Sequence, residues 1–149
     1  ASGFENGKIV LWDLNNYTQI KTIPVRSSSV ESLRFSSDGK LLACAPKDGN
    51  ILILNVESGA LVKSLIGGEG LTSLKFKQNN LNLVASSYKN SFDSNLFTVW
   101  DINTGAVVND LQVNISNKLL SFNSDFNLLV SDPNDSLNFY SVELWKYVL

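Results

Sequence analysis

Hydrophobic and polar residues alternate along most of the chain, in short runs separated by turn-forming residues. A period of two is typical of β-strands, and no useful stretch shows the period of an amphipathic helix. One apolar pattern recurs four times, at intervals of 42, 46 and 40 residues. Its copies are Ile9–Leu14, Ile51–Val56, Phe97–Ile102 and Leu137–Val142. The pattern therefore predicts an all-β chain that repeats one structural unit.

The same elements surround each copy of this pattern. Upstream lie an alternating strand and then a run of small and apolar residues, at Val30–Phe35 and Leu41–Ala45, Leu71–Phe76 and Leu83–Ser87, and Leu119–Phe122 and Leu128–Ser131. Downstream lies one further strand, at Thr18–Ile23, Leu61–Leu65, Val107–Leu111 and Leu144–Leu149. Asn6-Gly7 and Asp48-Gly49 are hairpin signals, because type I′ turns need positive φ at both central residues. Each unit is thus predicted to be a meander of four short strands.

Residues 28–65 resemble a WD repeat from end to end, and Trp12-Asp13 and Trp100-Asp101 match the dipeptide that gives the family its name. The chain resembles the WD-repeat (WD40) β-propeller family over essentially its whole length. The resemblance implies blades of four antiparallel strands, about three and three-quarter of them, forming an open arc or partial propeller. The repeats are degenerate, because the chain has no histidine for the family's Gly-His dipeptide.

The predicted boundaries give a partial blade over 1–25 that lacks its first strand, and blades over 26–67, 68–113 and 114–149. Together they form one partial propeller domain. The chain opens on residues that match a second strand and contains no methionine. We therefore expect it to be a piece of a longer protein, with the remaining blades supplied in cis or trans. An open arc would expose an apolar face at each end, so we expect the isolated chain to associate.

Composition removes several classes of function. Twelve basic and 14 acidic residues give a net charge of −2, which provides no footprint for nucleic acid. We also expect no membrane span and no disulfide, and Cys44 lies in an apolar run that predicts a buried thiol. Without histidine, and with Asp13 and Asp101 at predicted turns, we expect no catalytic, cofactor or metal site. The chain is predicted not to be an enzyme.

Blade 68–113 carries about four extra residues in a predicted hairpin loop at 87–95. Surface loops on rigid scaffolds often carry function, and exposed aromatic residues suit protein contacts. An equally weighted alternative is that Phe92 folds back onto its own blade. Together with residues expected on the same rim, this loop forms a candidate partner-binding surface. Its members are Tyr88, Lys89, Phe92, Asp93, Phe4, Arg26, Lys47 and Glu69, with Glu5 and Asp48 nearby.

The resemblance and the mixed charges favour a non-catalytic scaffold that binds other protein subunits within a multisubunit, intracellular complex, cytoplasmic or nuclear. An alternative is an RNA-contacting propeller subunit of a ribonucleoprotein, active in splicing or ribosome assembly. The neutral charge balance disfavours that alternative. A propeller enzyme or small-molecule sensor is a third alternative, for which these residues offer no ligands.

Overall fold

The computed structural model describes residues 1–25, 29–47, 50–67, 71–77, 82–89, 94–114, 119–122, 127–131, 137–141 and 146–148. These residues form strands and turns, and no helix long and apolar enough to cross a membrane occurs among them. The strands are β1 Ser2–Gly3, β2 Lys8–Asp13, β3 Thr18–Pro24, β4 Val30–Phe35, β5 Leu41–Pro46, β6 Ile51–Asn55, β7 Leu61–Leu65, β8 Leu71–Phe76, β9 Asn82–Lys89, β10 Ser94–Asp101, β11 Val107–Asn114, β12 Leu119–Phe122, β13 Asn127–Ser131, β14 Leu137–Ser141 and β15 Lys146–Val148.

Sequential strands pair antiparallel and form four separate sheets. The first sheet has the order β1-β2-β3, and the others have the orders β4-β5-β6-β7, β8-β9-β10-β11 and β12-β13-β14-β15. The predicted meander is confirmed, as is an open arrangement of three-stranded and four-stranded sheets. Contacts join the first three sheets, in which β1 contacts β4, and β4 and β5 contact β8.

The two middle strands of the second sheet, β5 and β6, are largely buried, because their side chains alternate between the sheets on either side of them. One cluster joins it to the first sheet and contains Ile9, Leu11, Ile23, Val25, Leu42, Cys44 and Leu54. The other joins it to the third sheet and contains Ala43, Ala45, Ile51, Ile53, Leu65, Leu74, Phe76, Trp100 and Ile102. The clusters share no residue, although β5 and β6 contribute to both. Each fully buried Leu or Ile stabilises the fold by roughly 1.5–3 kcal/mol.

A β-bulge recurs at the same place in the outer strands of the first three sheets. The pairing register shifts there, and the residue that the pairing passes over is Ile20 in β3, Val62 in β7 and Val108 in β11. All three are exposed, with 64%, 50% and 57% of their surface accessible. A bulge bends its strand and increases the local twist, so each outer strand turns at an equivalent residue.

The third sheet is longer than the second at one end. β10 begins at Ser94, three residues before Phe97, whereas β6 begins at Ile51, the residue equivalent to Phe97. β11 continues to Asn114, which pairs with Ser94. Three further residues add roughly 10 Å at about 3.3 Å per residue. The three outer strands of this sheet therefore extend as a ribbon beyond the level at which β6 begins.

The ribbon includes part of the segment 87–95 that is predicted to be a loop. Tyr88 pairs with Asn95 and Lys89 pairs with Ser94, so the hairpin strands continue into the predicted loop on both sides. Extra residues in a hairpin can lengthen paired strands as readily as the turn, because each added pair brings ladder hydrogen bonds. Residues 87–89 and 94–95 of the predicted loop therefore belong to strands, and residues 90–93 lie outside the described residues.

Candidate protein-interaction rim

The backbone ties the predicted rim of the first sheet to the second sheet. The Phe4 carbonyl accepts hydrogen bonds from the N–H groups of Gly7 and Val30, each at 3.2 Å. The Val25 N–H donates to the Gly7 carbonyl at 2.7 Å. The turn between β1 and β2 is therefore fixed to the chain that leads into β4. The turn therefore lies next to Val25, which follows β3, and to Val30, where β4 begins.

Lys47 lies beside the same connection. Its N–H donates to the Ser29 carbonyl at 2.9 Å, and the Ser29 hydroxyl donates to the Glu31 carboxylate at 2.9 Å. The Lys47 side chain is exposed, and 43% of the surface of Phe4 is accessible. Phe4 and Lys47 thus present an exposed aromatic ring and an exposed cation, and hydrogen bonds order the backbone of both residues.

The remaining predicted rim residues are only partly described. Tyr88 and Lys89 lie at the end of β9, and the structure defines their backbone. The other predicted members fall outside the described residues; they are Arg26, Glu69, Phe92 and Asp93, with the neighbouring Asp48. The rim as a whole therefore stays a prediction, with Phe4, Glu5 and Lys47 as its described side chains.

The opposite edge of the sheets consists of turns closed by aspartate or asparagine. The Asn15 N–H donates to Asp13 Oδ1 at 2.8 Å, and the Thr104 N–H donates to Asp101 Oδ1 at 2.9 Å. This confirms the structural interpretation of both aspartates. The bond from the Thr104 N–H is the main reason that the pKa of Asp101 lies below its usual value. In the second sheet Asn55 Oδ1 accepts an equivalent bond at 2.8 Å.

Tyr17 departs from this turn pattern. Its φ is 55°, whereas glycine occupies the equivalent left-handed position in the next two sheets, with φ of 78° at Gly59 and 79° at Gly105. An L-residue with a β-carbon pays roughly 1–2 kcal/mol in this conformation. Tyr17 is also 84% exposed, so few intramolecular contacts offset that strain. The sequence alone shows only that a glycine is missing at this turn.

Two tryptophans at equivalent positions differ in their hydrogen bonding. Trp12 Nε1 donates to the Ser2 hydroxyl at 2.8 Å, at a site where 42% of the Trp12 surface is exposed. Trp100 is 2% exposed, and its Nε1–H has no hydrogen-bond partner in the part of the chain that the structure describes. Ser2 pairs with Val10, two residues before Trp12. Ala85 takes the corresponding position near Trp100 and offers no side-chain acceptor.

Cys44 occupies the corresponding position in the second sheet. It is fully buried, and burial raises the pKa of its thiol to about 12. This confirms the predicted buried thiol, which is protonated at neutral pH. Within the described ranges, no three histidine, cysteine, aspartate or glutamate side chains form a group that could hold a metal ion.

Sequence reasoning does not foresee an apolar groove at the edge opposite the rim. The groove has a volume of about 560 Å³ and lies between the first and second sheets. Trp12, Leu14, Ile20 and Phe35 line it, and Lys21 Nζ donates to the Glu57 carbonyl beside it. Its signal in the sequence is weak, because these residues belong to three different strands and a turn.

The known proteins that this chain resembles are consistent with its fold. The model of the anaphase-promoting complex subunit 4 WD40 domain matches residues 1–80. Guanine nucleotide-binding protein subunit beta-1 of Drosophila melanogaster is 30% identical over 113 residues, which are 72% of this chain and 32% of that protein. The small ribosomal subunit protein RACK1 of Medicago sativa is 29% identical over 102 residues, which are 68% of this chain and 30% of that protein.

A third relative is the Set1 complex component swd1 of Schizosaccharomyces pombe, 23% identical over 87 residues, which are 58% of this chain and 22% of that protein. The matched part of each of these three relatives is thus at most 32% of its length. The family match covers more than half of the chain, and the repeated antiparallel sheets have the architecture that the match implies. The chain belongs to the WD40 family of β-propeller proteins.

Proposed function

We propose that this chain is a non-catalytic scaffold that binds other protein subunits within an intracellular complex, cytoplasmic or nuclear, and that it binds them through the rim around Phe4 and Lys47. The observation that carries this proposal is the exposed aromatic and cationic pair on hydrogen-bonded backbone. Backbone that is already ordered loses little conformational entropy on binding, and aromatic residues are enriched among those that dominate protein interfaces.

The relatives support a protein partner. Their names describe a subunit of a guanine nucleotide-binding protein, a component of the Set1 complex and a protein of the small ribosomal subunit. All three are parts of assemblies. The net charge of −2 also favours protein over nucleic acid as the partner, because a phosphate backbone attracts basic surfaces.

A pair of variants at the two ends of β5 tests the proposal. Lys47 follows β5 at the rim, and Lys40 precedes it at the opposite edge, where its carbonyl accepts the Val56 N–H at 2.9 Å. Phe4→Ser with Lys47→Glu removes the proposed contacts. Lys40→Glu makes the same change of charge away from them. Each tagged chain is purified from cells of its source organism, and co-purifying proteins are quantified by mass spectrometry.

We expect the double variant to lose its specific partners at least tenfold, while Lys40→Glu keeps them within twofold. Matched melting curves check that both variants are folded. Equal partner recovery by the double variant and the wild type would contradict the proposed rim. Recovery that disappears after ribonuclease treatment would contradict a direct protein contact and favour the RNA-bound alternative.

A further inference from the structure

The outer strand of each sheet has a free edge, since no other described strand pairs with it. Unpaired N–H and C=O groups there can bind a further strand, and proteins block such edges with short strands, lysine or proline. In β3 the edge carries Lys21 and Pro24. In β7 the edge is five residues long and carries Lys63. The strand β11 is eight residues long and contains no lysine and no proline.

The β-bulge increases the difference in free-edge length between β11 and the outer strands β3 and β7. A bulge interrupts regular pairing, so the usable edge is the part of the strand that follows it. That part is Lys21–Pro24 in β3, Lys63–Leu65 in β7 and Asn109–Asn114 in β11. The regular edge of β11 is thus six residues long, against four and three in the other two strands. Its length follows from the ribbon that lengthens the third sheet.

The residues of β11 indicate the chemistry of a partner. Val107 and Val108 are 54% and 57% exposed just before the regular edge, and they provide apolar surface for a partner's side chains. Asp110 is the strand's single charged residue, and it is exposed. An opposite charge facing it across a strand pair stabilises the pair, and a like charge destabilises it.

We propose that β11 binds an extended segment of a partner protein as an added β-strand, with an arginine or lysine facing Asp110. Main-chain hydrogen bonds along Asn109–Asn114 supply affinity, and the ion pair supplies orientation. A second copy of this chain fits less well, because pairing two β11 strands brings two Asp110 carboxylates to one interface. This inference rests on the proposed scaffold function but assigns it a second surface, apart from Phe4 and Lys47.

The test uses a phage-displayed library of linear octapeptides selected on the purified wild-type chain. The strongest binder is synthesised with its basic residue and with glutamate in that place. Affinities are measured by fluorescence anisotropy for the wild type, for Asp110→Lys and for Ser64→Lys. Ser64 is the matched control, because it pairs with Leu52 in the same register in which Asp110 pairs with Thr98. Both substituted side chains are exposed.

We expect Asp110→Lys to lower the affinity for the basic peptide at least tenfold. The same substitution should raise the affinity for the glutamate peptide above that of the wild type. We expect Ser64→Lys to change both affinities less than twofold. Bound peptide should slow amide exchange at least tenfold in Asn109–Asn114 and leave Leu61–Leu65 unchanged.

Several results would overturn the inference. They are a library that yields no binder, peptides that bind Asp110→Lys as well as the wild type, and protection confined to other strands. A light-scattering mass of two copies that Asp110→Lys changes, together with slow amide exchange in Asn109–Asn114 without peptide, would instead assign this edge to self-association. None of these outcomes depends on the rim, so Phe4→Ser with Lys47→Glu still tests the proposed function separately.

Discussion

Replacing Ala85 with serine is expected to stabilise the third sheet by giving the Trp100 indole a partner. The structure supplies the template, since Ser2 accepts the Trp12 indole N–H at 2.8 Å from the register position that Ala85 occupies in the third sheet. Trp100 is 2% exposed, so little solvent reaches its unpaired N–H. A buried donor left unsatisfied costs roughly 1–3 kcal/mol.

The expected gain is smaller than that full cost, because the new hydroxyl gives up its own hydrogen bonds to water when it pairs with the indole. A typical intramolecular hydrogen bond contributes about 1 kcal/mol net. We therefore expect Ala85→Ser to raise the free energy of unfolding by about 1 kcal/mol, and Tm by roughly 2–4 °C in a chain of this size. Thermal unfolding followed by circular dichroism measures both. Ser2→Ala is expected to cost less, about 0.5 kcal/mol, because water reaches the half-exposed Trp12.

A double-mutant cycle with Trp100→Phe isolates the interaction. Phenylalanine has no N–H, so in that background Ala85→Ser should no longer stabilise the chain, because the hydroxyl has no indole donor to pair with. The expected coupling energy between the two positions is about 1–2 kcal/mol. If Ala85→Ser stabilises the chain equally in both backgrounds, the gain does not come from the indole and the reasoning is wrong.

Four further predictions concern other positions. Gly3→Ala should lower Tm by several degrees, since a β-carbon there would lie 2.7 Å from Val30 Cβ; an unchanged Tm would refute the close packing of β1 on β4. Tyr17→Gly should add about 0.5–1 kcal/mol of stability in urea unfolding by relieving the left-handed strain. Cys44 should react with a thiol reagent at pH 8 at the rate at which the native chain opens, so urea should accelerate the reaction steeply and immediate labelling without urea would contradict its burial. Asp101→Ala should lower Tm at pH 7; because the pKa of this carboxyl is depressed in the folded chain, the difference from wild type should vanish as the pH falls well below 3.8.

Local patterns in the sequence predict the strands because those patterns record burial directly. The apolar run at Ile51–Val56 predicts a strand, and β6 occupies Ile51–Asn55. The aspartate at Asp101 is correctly predicted as a turn residue, since its partner lies three residues away. Features that depend on cross-strand register are beyond the same reasoning. The pairing of Trp12 with Ser2, and the missing partner of Trp100, follow from which residues face each other across two strands.

The predicted rim shows a second reason why some features of the structure cannot be predicted from the sequence. An insertion near Tyr88 is visible as a longer interval between repeats, but the interval does not reveal whether the extra residues form a turn or continue a ladder. The backbone continues the ladder through Lys89. Phe4 and Lys47 are predicted by their place in the repeat, whereas the edge of β11 becomes evident only when the bulge and the strand ends are compared between sheets.

The separation of the two apolar clusters around the second sheet bears on how such a chain tolerates change. Ala43 and Cys44 are consecutive residues, yet each belongs to a different cluster, and the clusters have no member in common. Substitutions at sites that share no partners and lie more than about 7–10 Å apart have nearly additive effects. A residue lost at one contact between sheets can therefore be compensated locally, without adjustment at the next. Each repeat can thus depart from the family signature independently, as the aligned residues Trp12, Leu54, Trp100 and Tyr140 illustrate.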